Sequence, residues 1–179
     1  DNTEPTARLN IQDGYSQVFP ASTMEAWATD MGPEYLPLGF RMHVSMCGAL
    51  GIGGHLIHWG KENREQAAYW IARYKEIRPI IQFGDLYRLR SAQQNPFSAL
   101  QYVSKDKKEA VLFAFRTHQP LIPYVEALPP VYLRGLNPTA TYRVDGFDET
   151  RSGLAWMQIG IEIHLSDYQS TILRIRQIV

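Results

Sequence analysis

The sequence predicts an α/β segment followed by an all-β one: the final strands and helices of a (β/α)8 barrel joined to an antiparallel β-sandwich. Two observations carry this. Residues 1–80 run in a strand–helix–strand–helix order with apolar residues at helical spacing. From about Ile80 the apolar period drops from 3.6 to 2, and short β-rich runs alternate with turn signals. The boundary is expected near Ile80 to Phe83, giving a barrel part over 1–80 and a sandwich domain over 81–179.

The first predicted element is a helix after DNTEPTARL. Thr3 is the expected cap, with Glu4 and Pro5 in the first turn and Gly14 as the terminator. ASTMEAWATD, Ala21 to Asp30, reads as a strand. LGFRMHVSMCGAL, Leu38 to Leu50, is apolar almost all round and predicts a deeply buried helix. GIGGHL, Gly51 to Leu56, reads as a second strand. Glu62 to Arg78 is the clearest helix, with Ala67, Trp70, Ile71, Tyr74 and Ile77 on one face. Its acidic start and basic end suit the helix dipole, and Pro79 is expected to stop it. Two parallel strands cannot close a sheet, so this half reads as the end of a barrel.

The second half predicts strands in IIQFGDLYRLR, FSALQYVS, EAVLFAF, PVYLRGL, ATYRVDG, MQIGIEIHL and STILRIRQIV. QQNP, KDKK, LNPT and FDETRSG separate them as turns. In LRGLNPTATYRV a Leu, a Pro and then a Tyr at a strand start resemble a tyrosine corner. Tyr142 is expected to hydrogen-bond back to backbone near Leu136 or Asn137, which makes it structural.

Composition narrows the function classes. The 179 residues are 45% apolar and 20% charged, with eighteen basic residues against eighteen acidic. A neutral chain without like-charge blocks has no footprint for nucleic acid, and no stretch approaches the roughly 20 apolar residues of a membrane span. Lys105 to Lys108 reads as a hairpin turn, not a phosphate patch. Cys47 is the only cysteine, so no disulfide framework or thiolate metal site is expected. A start at Asp1, without Met, leads us to expect a processed chain or a piece of a longer one. The compartment stays undetermined.

Few motifs carry chemistry. GALGIGGHL fails the dinucleotide spacing and reads as close backbone packing at a strand end. His55 and His58 lack a partnering carboxylate, and no serine sits on a nucleophile elbow. Trp27 and Asp30 fall at the end of a predicted barrel strand, the face where barrel sites are built. An aromatic face beside a carboxylate suits a sugar; a core Trp and a turn Asp are the bland alternative. Asp1 has the local chemistry of a polar residue beside a helix start.

Taken in order, DNTEPTARL, GYSQVFPASTMEAWATD, LPLGFRMHVSMCGALGIGG, YKEIRPIIQFGDLYRLRS, QYVSKDKKEAVLFAFR, PPVYLRGLNP and LSDYQS resemble the C-terminal portion of the α-galactosidases of glycoside hydrolase family 36. The resemblance implies retaining hydrolysis of terminal α-galactosides such as melibiose and raffinose. It implies no metal and no cofactor, and a homo-oligomer for the whole enzyme. Retaining enzymes place two carboxyl groups about 5–5.5 Å apart. The family's nucleophile lies in a K-W-D motif, and no K-W-D occurs in this sequence. The acid/base partner maps onto Asp1, with Glu4 where an Asp is commoner. A free α-ammonium beside Asp1 would favour the ionised form, whereas a general acid needs a raised pKa. This stretch alone is therefore expected to be inactive.

Two rivals accompany that reading. A raffinose-synthase-like transferase would share the architecture, with a sugar hydroxyl replacing water. A non-catalytic sugar-binding sandwich would need an exposed aromatic strip. Burial of the aromatics in FSALQYVS and VLFAFR would remove its basis.

Overall fold

A computed structural model of the protein describes residues 2–30, 36–117 and 129–178. Helix α1 spans Pro5–Tyr15, and its cap is Glu4, not Thr3. Pro5 keeps the residue before it extended, so Glu4 takes the cap conformation. Its carboxylate is long enough to accept from Thr6 N (3.1 Å) and Ala7 N (2.8 Å). Gly14 lies inside the helix, which ends one residue later.

Strand β1, Glu25–Ala28, pairs in parallel with β2, Ala49–Ile52. Helix α2 between them covers only Leu38–Ser45. The predicted helix to Leu50 stops early because Ala49 N bonds Met24 O at 2.8 Å. The edge of β1 takes the backbone that another helical turn would have used. Helix α3 runs through Pro79, from Lys61–Phe83. The expected stop fails for an energetic reason. An interior proline costs about 3 kcal/mol, while burying an isoleucine side chain returns about 1.5–3 kcal/mol. Ile80 and Ile81 are both buried in the core beyond it. Residues 80–83 are thus helical, not the start of a strand, and Gly84 N closes the helix on Ile80 O at 2.9 Å.

The other strands are β3 (Asp85–Arg90), β4 (Phe97–Val103), β5 (Glu109–Arg116), β6 (Thr141–Val144), β7 (Thr150–Ser152) and β8 (Ser170–Ile178). They form one antiparallel sheet of six strands in the order β3-β4-β5-β8-β6-β7. One face of β4 and β5 presents Tyr102, Val111, Phe113 and Phe115 to Phe40 and Val44 of α2 and to Ile77 and Ile81 of α3. The other presents Phe97, Ala99, Leu112 and Ala114 to Val131, Leu133, Leu136, Trp156 and Ile161.

That second layer is less regular than the sequence predicts. Among the described residues, PVYLRGL and MQIGIEIHL pair only at the bridge between Val131 and Ile161. Residues Gly153–Gln158 form a short helix, α4, capped by Ser152. The turn buries Trp156 completely and lets its Nε1 donate to Tyr142 O at 3.2 Å. A buried indole needs that partner, and the helix that supplies it takes in Met157 and Gln158, the first two residues of the predicted strand.

The tyrosine corner forms as expected: Tyr142 Oη accepts from Asn137 N at 3.0 Å. It also donates to Lys107 O at 2.7 Å, thirty-five residues away. Lys107 takes a left-handed φ of 61° in the β4–β5 hairpin turn, where Asp106 Oδ1 accepts from Lys108 N at 3.0 Å. The lysine cluster is therefore a turn.

Polar ties stitch the helical half to the sheet. Tyr102 Oη donates to Cys47 O at 2.5 Å. His43 Nδ1 lies 2.8 Å from Ser170 Oγ, and its ring meets Trp70 edge-on at 4.2 Å. Burial lowers the His43 pKa to about 4 and pushes the Cys47 thiol up. Cys47 is thus an inert, protonated core residue.

Two stability measurements check these ties. The unfolded His43 takes up a proton near pH 6.5, the folded one near 4. Its contribution is complete above about pH 6.5 and is lost as pH falls towards 4, because the unfolded chain binds more protons in that window. Denaturant titrations from pH 7 to 4 should show His43→Asn losing less stability than the parent, by up to roughly 3 kcal/mol. Tyr142→Phe strands Asn137 N and Lys107 O and should lower the unfolding free energy by about 1–3 kcal/mol.

Candidate functional site

The two parallel strands end on the same side, at Ala28 and Ile52. In an α/β barrel that is the side where sites are assembled. Alternation along β1 turns Ala26 and Ala28 into the core. Glu25 and Trp27 point to the opposite face, and Trp27 keeps 46% of its surface exposed.

Trp27 lies opposite Gly51 in the parallel register. A Cβ at Gly51 would fall 2.7 Å from Trp27 Cδ1, so the indole rests directly on bare β2 backbone. The glycine-rich stretch thus does what close packing requires: it lets an aromatic plate lie flat across the strand end. The sequence marks both halves of this arrangement, but only the register brings them together.

Asp30 follows two residues after β1, and its carboxylate faces the loop after β2. Oδ2 accepts from His55 N at 2.6 Å, and Oδ1 accepts from Trp59 Nε1. Around this loop lies an open depression of about 570 Å³. Thr29, Asp30, Arg41, His55, His58 and Asn63 give it a polar lining. Arg41 donates to Thr29 O (3.1 Å) and Leu36 O (3.2 Å), fixing the exit from β1. Sequence reasoning missed Arg41, Trp59 and Asn63. Their only signal is position, just past a strand end or at a helix start.

Asp1 lies outside the described residues. Helix α1 behind it is tied to β1, since Arg8 Nη2 donates to Glu25 O at 2.6 Å. Burial lowers the Arg8 pKa. His55 and His58 stand 6.0 Å apart ring to ring. Among the described residues, no three His, Cys, Asp or Glu side chains gather in a way that could hold a metal ion.

An aromatic strip on the sheet is absent where the sugar-binding-module reading needs it. Phe97, Tyr102, Phe113 and Phe115 are all buried. Stacking a sugar there would require opening the core, so that rival loses its basis.

Comparison with known proteins adds a second line of argument. A family model described as Melibiase matches residues 1–84, and one described as Glycosyl hydrolase family 36 C-terminal domain matches 97–175. The chain is 34% identical over 168 residues to probable alpha-galactosidase C of Aspergillus terreus, covering 90% of this chain and 22% of that protein. It is 30% identical over 190 residues to alpha-galactosidase AgaA of Geobacillus stearothermophilus, covering 99% and 25%. Among solved structures, the GH36 alpha-galactosidase AgaB of the same organism superposes with a TM-score of 0.90 at 29% identity, over 99% of this chain and 25% of that one. A variant of AgaA in complex with raffinose superposes with a TM-score of 0.89 at 28% identity, over the same shares. The chain spans about a quarter of the length of the curated relatives it matches. By these likenesses β1, β2 and their helices are the end of a barrel, and the sheet is the domain that follows it.

Gly51→Ala tests the Trp27 platform. The added methyl falls 2.7 Å from Trp27 Cδ1, so the indole must move, and the unfolding free energy should fall by about 1–3 kcal/mol. Trp27 emission should shift, read as the difference from a Trp27→Phe background. An unchanged spectrum would mean the ring does not rest on β2.

Proposed function

The chain belongs to glycoside hydrolase family 36, and from that premise we propose that it supplies the acid/base side of a retaining α-galactosidase. The observation that carries this reading is the pair of family matches, one over each half of the chain in the expected order. The raffinose complex of a similar enzyme supports the substrate class. Residues 1–80 would form the last part of the catalytic barrel, and 81–179 the C-terminal sandwich.

In this mechanism Asp1 protonates the glycosidic oxygen as the galactosyl group leaves. It then removes a proton from the water that releases the sugar from the enzyme. The attacking carboxylate comes from outside these 179 residues, which contain no K-W-D. Trp27 offers a flat apolar surface to the C–H face of galactose, and Asp30 and the polar depression border the same rim. The whole enzyme would assemble as a homo-oligomer through surfaces that include the sandwich.

The test uses the whole natural protein. It should release free galactose from raffinose, and the first-formed sugar should be the α-anomer. Transfer of galactose to another sugar would support the raffinose-synthase-like rival instead. Asp1→Ala should cut raffinose turnover by roughly 10²–10⁴-fold. Cleavage of an aryl α-galactoside, whose leaving group needs no proton, should suffer less. Added azide should restore its turnover and yield α-galactosyl azide. Full raffinose activity in Asp1→Ala would remove Asp1 from the chemistry.

A further inference from the structure

Asp30 has both carboxylate oxygens engaged by a single loop. Oδ2 accepts the backbone N–H of His55 at 2.6 Å, and Oδ1 accepts the indole N–H of Trp59. Trp59 is buried, although the loop around it is exposed. Gly54 permits the close approach, since a Cβ there would fall 2.6 Å from Asp30 Oδ1 and 2.9 Å from Trp59 Cζ2. Hydrogen bonds to an ionised group are among the stronger ones in a protein.

The same loop is pinned at its two ends. Gly53 N donates to Ala28 O at 3.0 Å, continuing the β1–β2 ladder. Arg64 Nη1 donates to Trp59 O at 2.7 Å from the first turn of α3. Between these points Ile57 is exposed and Leu56 half-exposed. Trp59 is the one buried side chain of this loop, and the Asp30 carboxylate takes both its indole N–H and the loop backbone at His55, so the loop's path is held at the point where the two meet.

We propose that Asp30 is a positioning residue: it locks the Gly53–Trp59 loop to the end of β1. It thereby fixes the backbone surface under Trp27 and the His55–His58 rim of the polar depression. The link to galactose rests on the α-galactosidase reading, whereas the clamp itself does not.

Asp30→Ala and the isosteric Asp30→Asn, made in the whole natural protein, separate these statements. Hydrogen–deuterium exchange should rise in the 53–60 segment of Asp30→Ala and stay unchanged in β4 and β5. Asn retains one acceptor oxygen, so its exchange should fall between parent and alanine variant. On an aryl α-galactoside, KM should rise about tenfold in Asp30→Ala while kcat stays within about threefold, as for lost binding geometry with the chemistry intact. Unchanged loop exchange in both variants would overturn the clamp. A loosened loop with unchanged KM would overturn its link to the sugar site. A fall in kcat of about a thousandfold with a quiet loop would make Asp30 a group that touches the substrate. If the parent protein releases no galactose, the α-galactosidase reading fails, and the exchange data alone still decide the clamp.

Discussion

Strands β4 and β5 have almost no solvent face. From Ala110 to Phe115 every side chain of β5 is buried, and β4 is buried at six of its seven positions. An antiparallel sheet commonly leaves one side wet. Here the helices of the first half cover one side, and the Val131–Ile161 layer covers the other. Removing either layer would uncover aromatic rings whose burial is worth about 1.5–3 kcal/mol each. The two halves of the chain therefore share one of their cores.

That shared core aims the site. It holds α3 in place past Pro79, and α3 carries Tyr74. Tyr74 Oη donates to Gly48 O at 2.7 Å and accepts from Leu50 N at 3.3 Å. These bonds grip the chain as it leaves α2 and enters β2, so β2 reaches Gly51 in register with Trp27. Burial in the sheet is converted, through one hydroxyl, into the placement of Gly51 beneath Trp27. Polar groups at the junction are matched in the same spirit: Tyr102 finds Cys47 O, and His43 stays neutral beside Ser170.

The candidate site was legible in part. Trp27 and the glycines of GIGGHL stand out in the sequence, and Asp30 stands out as a carboxylate at a strand end. What the sequence could not show is that Asp30 spends its oxygens on His55 N and Trp59, twenty-five and twenty-nine residues later. No periodicity encodes that pairing, because a loop's path depends on which distant donors it meets. Trp59 and Arg41 carry no sequence signal beyond their position for the same reason.

Local physics fixed most of the element types, with PVYLRGL and MQIGIEIHL, which meet only at the Val131–Ile161 bridge, as the exception. The change of period near Ile80, the turn at Lys105–Lys108 and the Tyr142 corner all rest on neighbours a few residues apart, and the sequence determined them. The ends of elements went otherwise. Ala49 left its helix for the edge of β1, Pro79 was carried through by the burial of Ile80 and Ile81, and α4, set by the burial of Trp156, took Met157 and Gln158 from the start of a predicted strand. In each case a long-range contact worth a few kcal/mol outweighed a local preference of similar or smaller size. Tertiary structure decided those points because only there do the competing partners come within reach.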